Sequence, residues 1–379
     1  MAMVETGMRR AIGMISGTSM DGLDIAFIET DGETVSRFGP TRSYSYEPAL
    51  RRRLLEIAAN PDEARKAPLV EEDRAVTLAH VDGLSRFATE TGVALAACDV
   101  VGMHGQTILH LPRERFTRQL GDGQDLADAI GVTVIDRLRH DDVAAGGEGA
   151  PFAPLYHAAL ARSLRQPVAV LNLGGVGNVT YLDGDAIVAF DTGPANAMID
   201  DWVWRHRGMA FDAGGAIAAS GRVDREALAR LMDNPYFDLA PPKSLDRNDF
   251  PADPVGALGV EDGAATLAAF TIESVARAVA HLPSTPLRWL VTGGGRHNAT
   301  LMGGLAERLG VPVAPVEAVG WDGDALEAQM VAFLAVRSLR RLPLSIPSTT
   351  GVPEPMTGGR RCQPRPNRPT ESRPAALAG

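Results

Sequence analysis

The chain has 379 residues, 45% of them hydrophobic and 22% charged, a composition that fits a globular protein of two or three domains and excludes a fibrous or wholly disordered one. A formal net charge of -10 argues against general nucleic-acid binding, whose affinity comes largely from Lys and Arg neutralising phosphates. Two well-separated cysteines, Cys98 and Cys362, exclude a disulfide scaffold or a Cys-rich zinc site; with no long apolar run and no apolar signal core after Met1, the reading is a soluble, cytoplasmic protein with no membrane partner.

In chain order, the apolar residues 11–15 predict a strand that runs into the turn 16–22, rich in Gly and Ser, and out again as a strand over 23–28. Helical spacing follows over 48–60 and 70–91, then a short strand, 100–103, ending at His104-Gly105-Gln106-Thr107. The hairpin design repeats: strand 168–173, turn Gly174-Gly175-Val176-Gly177-Asn178, strand 179–182. A strand over 187–190 delivers Asp191. A third strand, 289–292, meets Gly293-Gly294-Gly295, and a helix over 299–309 follows, with Asn298 placed to cap it. The last helix is expected over 325–342. From about Arg360 the chain is rich in Pro and Arg without apolar periodicity and is expected to be disordered.

Strands alternating with helices, with glycines at strand ends, indicate an α/β fold whose ligands lie beyond the carboxyl ends of strands. Consecutive backbone N–H groups in a turn without Cβ atoms form an anion-binding concavity, although glycines also serve tight turning in any α/β protein. The Walker-A spacing is missing and the dinucleotide fingerprint fails after Gly177. What remains is one phosphate hairpin in each of two lobes plus a glycine turn near a nucleoside, the arrangement of the sugar-kinase, heat-shock-ATPase and actin superfamily. The expected architecture is a two-lobed actin-like (ribonuclease H-like) fold with a central cleft. Its lobes are expected at 1–135 and 136–343, with a C-terminal extension over 344–379.

The blocks Ser16-Gly17-Thr18-Ser19-Met20-Asp21-Gly22-Leu23-Asp24, His104-Gly105-Gln106-Thr107, 142–151, Phe190-Asp191-Thr192-Gly193-Pro194-Ala195-Asn196, Pro242-Lys243-Ser244, Thr292-Gly293-Gly294-Gly295, Thr349-Thr350-Gly351 and Gly358-Gly359 occur in order. In them the chain resembles the anhydro-N-acetylmuramic acid kinase family. The resemblance implies an enzyme that opens the 1,6-anhydro ring of 1,6-anhydro-N-acetylmuramic acid with water and phosphorylates O6 from ATP, in cell-wall sugar recycling, as a homodimer.

Water attacking an anomeric carbon must lose a proton, and the resemblance gives the base position to Asp191; capping of the helix near Asn196 is the alternative. It gives Glu327 a place in holding the water, although a Glu in a first helical turn is favoured by the helix dipole alone. Phosphates fall to Gly17, Thr18, Ser19, Met20, Asp21, Gly22, Leu23 and Asp24 and to Gly174, Gly175 and Asn178, and the nucleoside to Gly293, Gly294 and Gly295. Mg²⁺ is implied, with Asp21 or Asp24 contributing directly or through water and no ligand assigned. His104, Gln106, Arg139 and Asp142 are the sugar-binding candidates. No His motif for zinc is present. The loop 136–142 departs from the family by Arg137, Leu138 and Asp141, which leaves a kinase for another amino sugar as an alternative; a catalytically silent nucleotide-binding protein is a further one.

Overall fold

The computed structural model describes residues 7–17, 19–245 and 250–366. It is a mixed α/β protein whose chain divides into two compact units, the first holding residues 1–146, 327–344 and 355–379, the second 147–326 and 345–354. The lobe boundary expected at 135/136 thus falls at 146/147, and residues 327–344 rejoin the first unit.

Six strands build most of the first unit's sheet: β1 (Arg9–Ser16), β2 (Gly22–Thr30), β3 (Val35–Ser45), β4 (Val100–Leu111), β5 (Phe116–Leu120) and β6 (Val134–Asp136). The second unit holds β7 (Val168–Leu173), β8 (Val176–Asp183), β9 (Ala186–Pro194), β10 (Arg288–Thr292) and β11 (Val313–Pro315). The last strand, β12 (Arg360–Cys362), returns to the first sheet. The first sheet runs β12-β6-β4-β1-β2-β3 with β5 on β4, and the second runs β11-β10-β7-β8-β9. Both glycine hairpins expected from sequence are present, β1 with β2 and β7 with β8, each antiparallel. The strand expected over 100–103 continues to Leu111 and pairs with β5. Among the described residues no helix is long and apolar enough to cross a membrane.

Each unit has its own apolar core. In the first, Ile12, Met14, Ile25, Phe27 and Val101 from the sheet meet Leu54, Ile57, Val76, Leu84 and Phe87 from the helices Pro48–Ala58 and Val70–Thr91. In the second, Leu171, Val179, Phe190 and Val291 meet Trp202, Leu267, Phe270 and Leu301.

The opposite face of the first sheet is built for close approach. Gly13 of β1 and Gly102 of β4 are paired neighbours, and a Cβ built on them would lie 1.9 Å from the Ala328 carbonyl oxygen and 2.5 Å from that of Val331. The helix Leu326–Leu339 therefore seats its small residues, Ala328, Ala332 and Ala335, directly on backbone. That contact fixes the first turn of the helix, where Glu327 precedes Ala328.

The expectation of disorder from about Arg360 is corrected by β12. Its backbone pairs antiparallel with β6, Arg360 opposite Asp136, and the Arg360 guanidinium reaches Asp136 Oδ2 at 2.5 Å and Asp122 Oδ2 at 3.1 Å. Cys362 is buried and Arg365 pairs with Asp128. Charge pairing to distant carboxylates replaces the apolar periodicity that the segment lacks. Residues beyond 366 lie outside the described set.

Gly13→Val is expected to lower the free energy of unfolding by about 3 kcal/mol or more, since overpacking against backbone cannot relax by a rotamer change. Denaturant unfolding measures it, and a change below about 0.5 kcal/mol contradicts the seating described.

Candidate active site

In the second unit a row of polar residues crosses four strands. Thr292 of β10 pairs with Asn172 of β7, Asn172 with Asn178 of β8, and Asn178 with Asp191 of β9. Directly paired residues share a face of a sheet, so these side chains line one edge at the carboxyl ends of the parallel strands β7 and β10, the usual ligand position in such sheets.

Asp191 is held on three sides. Its N–H donates to the Lys243 carbonyl at 3.0 Å, its carbonyl accepts the Tyr236 hydroxyl at 2.6 Å, and its Oδ2 accepts the Leu245 N–H at 2.8 Å. Burial pushes its carboxyl up to about 7, with the Leu245 hydrogen bond opposing and the charge of Glu148 adding to the rise. It does not cap the helix Asn196–Arg207: that helix has no side-chain cap, and the N–H groups of Ala195 and Asn196 bond to the Gly175 and Gly174 carbonyls. Asn298 does cap its helix, accepting the Leu301 N–H.

The glycines at the expected phosphate and nucleoside positions fall into two sets. A Cβ on Gly22, Gly293 or Gly295 would come within 2.3 Å of Tyr44 O, 2.4 Å of Asn172 Oδ1 or 2.5 Å of Leu173 Cβ, so packing alone requires them. At Gly17, Gly174, Gly175 and Gly294 the nearest atom to a Cβ lies 3.5–3.7 Å away, an ordinary contact distance. None of these four has a positive φ. The protein's own packing does not call for glycine there, and the absent Cβ leaves these turns' backbone open to approach.

In the first unit, the hairpin turn is braced from within. Ser19 Oγ donates to Asp21 Oδ1 at 2.7 Å, and Asp24, half-exposed on β2, accepts from Ser43. Thr18 lies outside the described residues. Met20 and Leu23 bury their side chains in the core, which leaves their backbone alone for ligand contact. Gln106 is fully buried, and its amide hydrogens go to the Gly17 and Thr107 carbonyls while Ser16 Oγ donates to its Oε1. It braces the turn and has no amide hydrogen left for a sugar.

His104 and Arg139 are brought together. Arg139 Nε donates to His104 Nε2 at 2.7 Å and His104 Nδ1 meets the Gly105 carbonyl at 2.9 Å, which fixes the neutral Nδ1–H tautomer. Burial and the Arg139 charge hold the imidazole down to about 3. Beside it lies a polar cavity of about 240 Å³ lined by residues that include His104, Gln119, Asp136, Arg137, His140 and Arg360. Asp142 is buried in the helix His140–Ala144, and Asp141 is exposed near Gly358. Glu327 opens to solvent in the first turn of its helix; the protein crowded around it and the Asp24 charge raise its carboxyl, and Arg139 opposes.

Motif reading missed the residues that frame Asp191. Lys243 and Ser244 sit in a matched block, but nothing local marks their bonding. Lys243 is buried, its Nζ on the Tyr236 and Phe237 carbonyls at 3.1 and 3.4 Å, and burial pulls it down to about 8.

The second unit thus presents a strand-end carboxylate of raised proton affinity in a row of polar side chains, with the Gly174-Gly175 and Gly294 turns in the same unit. The family model for anhydro-N-acetylmuramic acid kinase matches residues 9–362, and the chain belongs to that family. Proteins of that name from Rhodospirillum rubrum and Paramagnetospirillum magneticum are 54% and 50% identical to it over 351 and 358 residues, covering 92% and 93% of this chain and 93% and 99% of theirs. One from Acidiphilium cryptum is 52% identical over 362 residues, 94% of this chain and 99% of its own.

Gly175→Ala is expected to leave unfolding stability within about 1 kcal/mol while raising the KM for nucleotide tenfold or more; a large stability loss with unchanged KM contradicts the ligand reading. Asp191 has a folded-state pKa above its unfolded one, so the native state binds the extra proton between about pH 4 and 7 and stability falls as pH rises through that window. Asp191→Asn is accordingly expected to gain in Tm over the parent from pH 4 to 7, level beyond; parallel Tm profiles contradict the raised proton affinity.

Proposed function

We propose that this chain is an ATP-dependent kinase that opens the 1,6-anhydro ring of 1,6-anhydro-N-acetylmuramic acid with water and phosphorylates O6, giving N-acetylmuramic acid 6-phosphate and ADP. The observation that carries the reading is Asp191, a strand-end carboxylate held by the Leu245 N–H and poised to accept a proton near neutral pH. The water oxygen bonds to C1, the C1–O6 bond breaks, and O6 takes the γ-phosphoryl group as ADP leaves. Asp191 holds the proton lost by water. Glu327 takes the second catalytic position that the family resemblance gives it.

The turns at Gly17 and at Gly174-Gly175 offer backbone to phosphate oxygens, and Gly294 offers it to the nucleoside. Among the described residues no group of three or more His, Cys, Asp and Glu is gathered to hold a metal ion. One or two carboxylates at a phosphate turn suit Mg²⁺ carried in on the nucleotide, and Asp21 and Asp24 are the carboxylates there. Bound in that way, Mg²⁺ neutralises phosphate charge. His104 and Arg139, with Asp142 behind them, are assigned to the sugar. A homodimer acting in the cytoplasm, in recycling of cell-wall sugars, completes the proposal.

Arg137 lines the cavity beside His104, so a related amino sugar is the second reading, and a panel of amino sugars separates the two. The decisive assay incubates the protein with Mg²⁺-ATP and the anhydro sugar and reads the ring-opened phosphosugar by mass. Asp191→Asn is expected to lower kcat by about 10²–10⁴-fold. Turnover retained in that variant contradicts the base assignment, and ATP-dependent phosphorylation of a different sugar alone contradicts the substrate.

A further inference from the structure

Glu148 lies in the stretch between β6 and β7, outside every role assigned above. Ser244 Oγ donates to its Oε2 at 2.5 Å. Ser244 is the middle of three consecutive residues whose outer members both grip Asp191: the Lys243 carbonyl takes the Asp191 N–H, and the Leu245 N–H binds Asp191 Oδ2. The Glu148 N–H donates to the Thr350 carbonyl at 2.7 Å, which ties it to the helix Pro347–Thr350 packed on β9.

We propose that Glu148 is a positioning residue for Asp191: its carboxylate holds Ser244, and through it the 243–245 segment wrapped around Asp191. The inference rests on Asp191 as the base of the reaction. A neutral acceptor of the same shape would hold Ser244 equally well. What the carboxylate adds is a like charge, which disfavours ionisation of its neighbour.

Among the described residues, the other elements packed around Asp191 supply no competing charge of that kind. Asn178 on β8 and Thr192 on β9 are uncharged. The helix Pro154–Ala161 brings the buried Tyr156 and His157; His157 Nδ1 meets Thr180 Oγ1 at 3.0 Å, and burial holds its imidazole down to about 4, hence neutral. The helix Val260–Ala278 buries Thr271 and Ser274 against β9, and its charged Glu273 and Arg277 pair with Arg308 and Asp238. The helix Pro347–Thr350 contributes Thr349 and Thr350. His281 stands edge-on to the Phe190 ring, with Nε2 on the Phe237 carbonyl. Lys243 turns its ammonium onto the Tyr236 and Phe237 carbonyls. The Tyr236 hydroxyl is spent on the Asp191 carbonyl.

The test compares the full chain with its Glu148→Gln, Glu148→Ala and Ser244→Ala variants in two ways. Carboxyl ¹³C NMR of selectively labelled protein follows the titration of Asp191, assigned by its loss in Asp191→Asn, and kcat and KM are taken from pH 5 to 9. In Glu148→Gln the Asp191 titration, and with it the acidic limb of the rate profile, is expected to move down by roughly 0.5–1 unit. Glu148→Ala and Ser244→Ala are expected to lower kcat about tenfold with the sugar KM nearly unchanged, and Glu148→Gln to recover most of that loss. An Asp191 titration that superimposes on the parent's in Glu148→Gln, with Glu148→Ala turning over as fast as the parent, overturns the inference. A shifted Asp191 titration in a parent that phosphorylates no anhydro sugar leaves the Glu148 coupling in place and instead removes the proposed reaction.

Discussion

The hydrogen bond from the Leu245 N–H to Asp191 Oδ2 sets the character of the second unit's site. Burial alone would drive the carboxylate toward a permanently protonated state; one backbone donor holds it near the point where it can take and release a proton at neutral pH. Position follows from the same clamp. Asp191 stands on β9 at the end of a polar row that begins at Thr292, so the proposed base is carried by a sheet and not by a loop. A scaffold strand holds geometry more tightly than a connection does, and catalysis by positioned proton transfer depends on that geometry.

The glycines show how one residue type serves two purposes in this chain. Gly13 and Gly102 make a flat spot on the first sheet where a helix of small residues settles onto backbone, and this contact sets the location of Glu327. Gly293 and Gly295 let their turn press on the end of β7. Gly17, Gly174, Gly175 and Gly294 have no such obligation to the fold. These four lie in the turns at which the family resemblance places phosphates and nucleoside.

Much of the fold was legible because its signals are local. Apolar runs broken by Gly174-Gly175 or by the 16–22 segment read directly as hairpins, and the helix Ala299–Leu309 was bounded by its Asn298 cap. The end of the chain was not legible. Arg360 is ordered by Asp136, 224 residues earlier, and by Asp122, and no window of sequence contains both partners. The site divided in the same way. Asp191 and the glycine turns announce themselves by their place at strand ends, whereas Gln106, polar and next to a glycine, looks like a sugar ligand until the structure shows both amide hydrogens spent on the Gly17 and Thr107 carbonyls. Glu148 and Ser244, 96 residues apart, acquire their relation only through folding.

In the proposed reaction Asp191 delivers water to a sugar carbon and not to a phosphorus atom. Running the reaction in H₂¹⁸O and locating the label by mass spectrometry immediately after turnover tests it most directly. One ¹⁸O is expected on the anomeric carbon of the phosphosugar and none in its phosphoryl group. Label found only in released inorganic phosphate, with the anhydro ring intact, would contradict it.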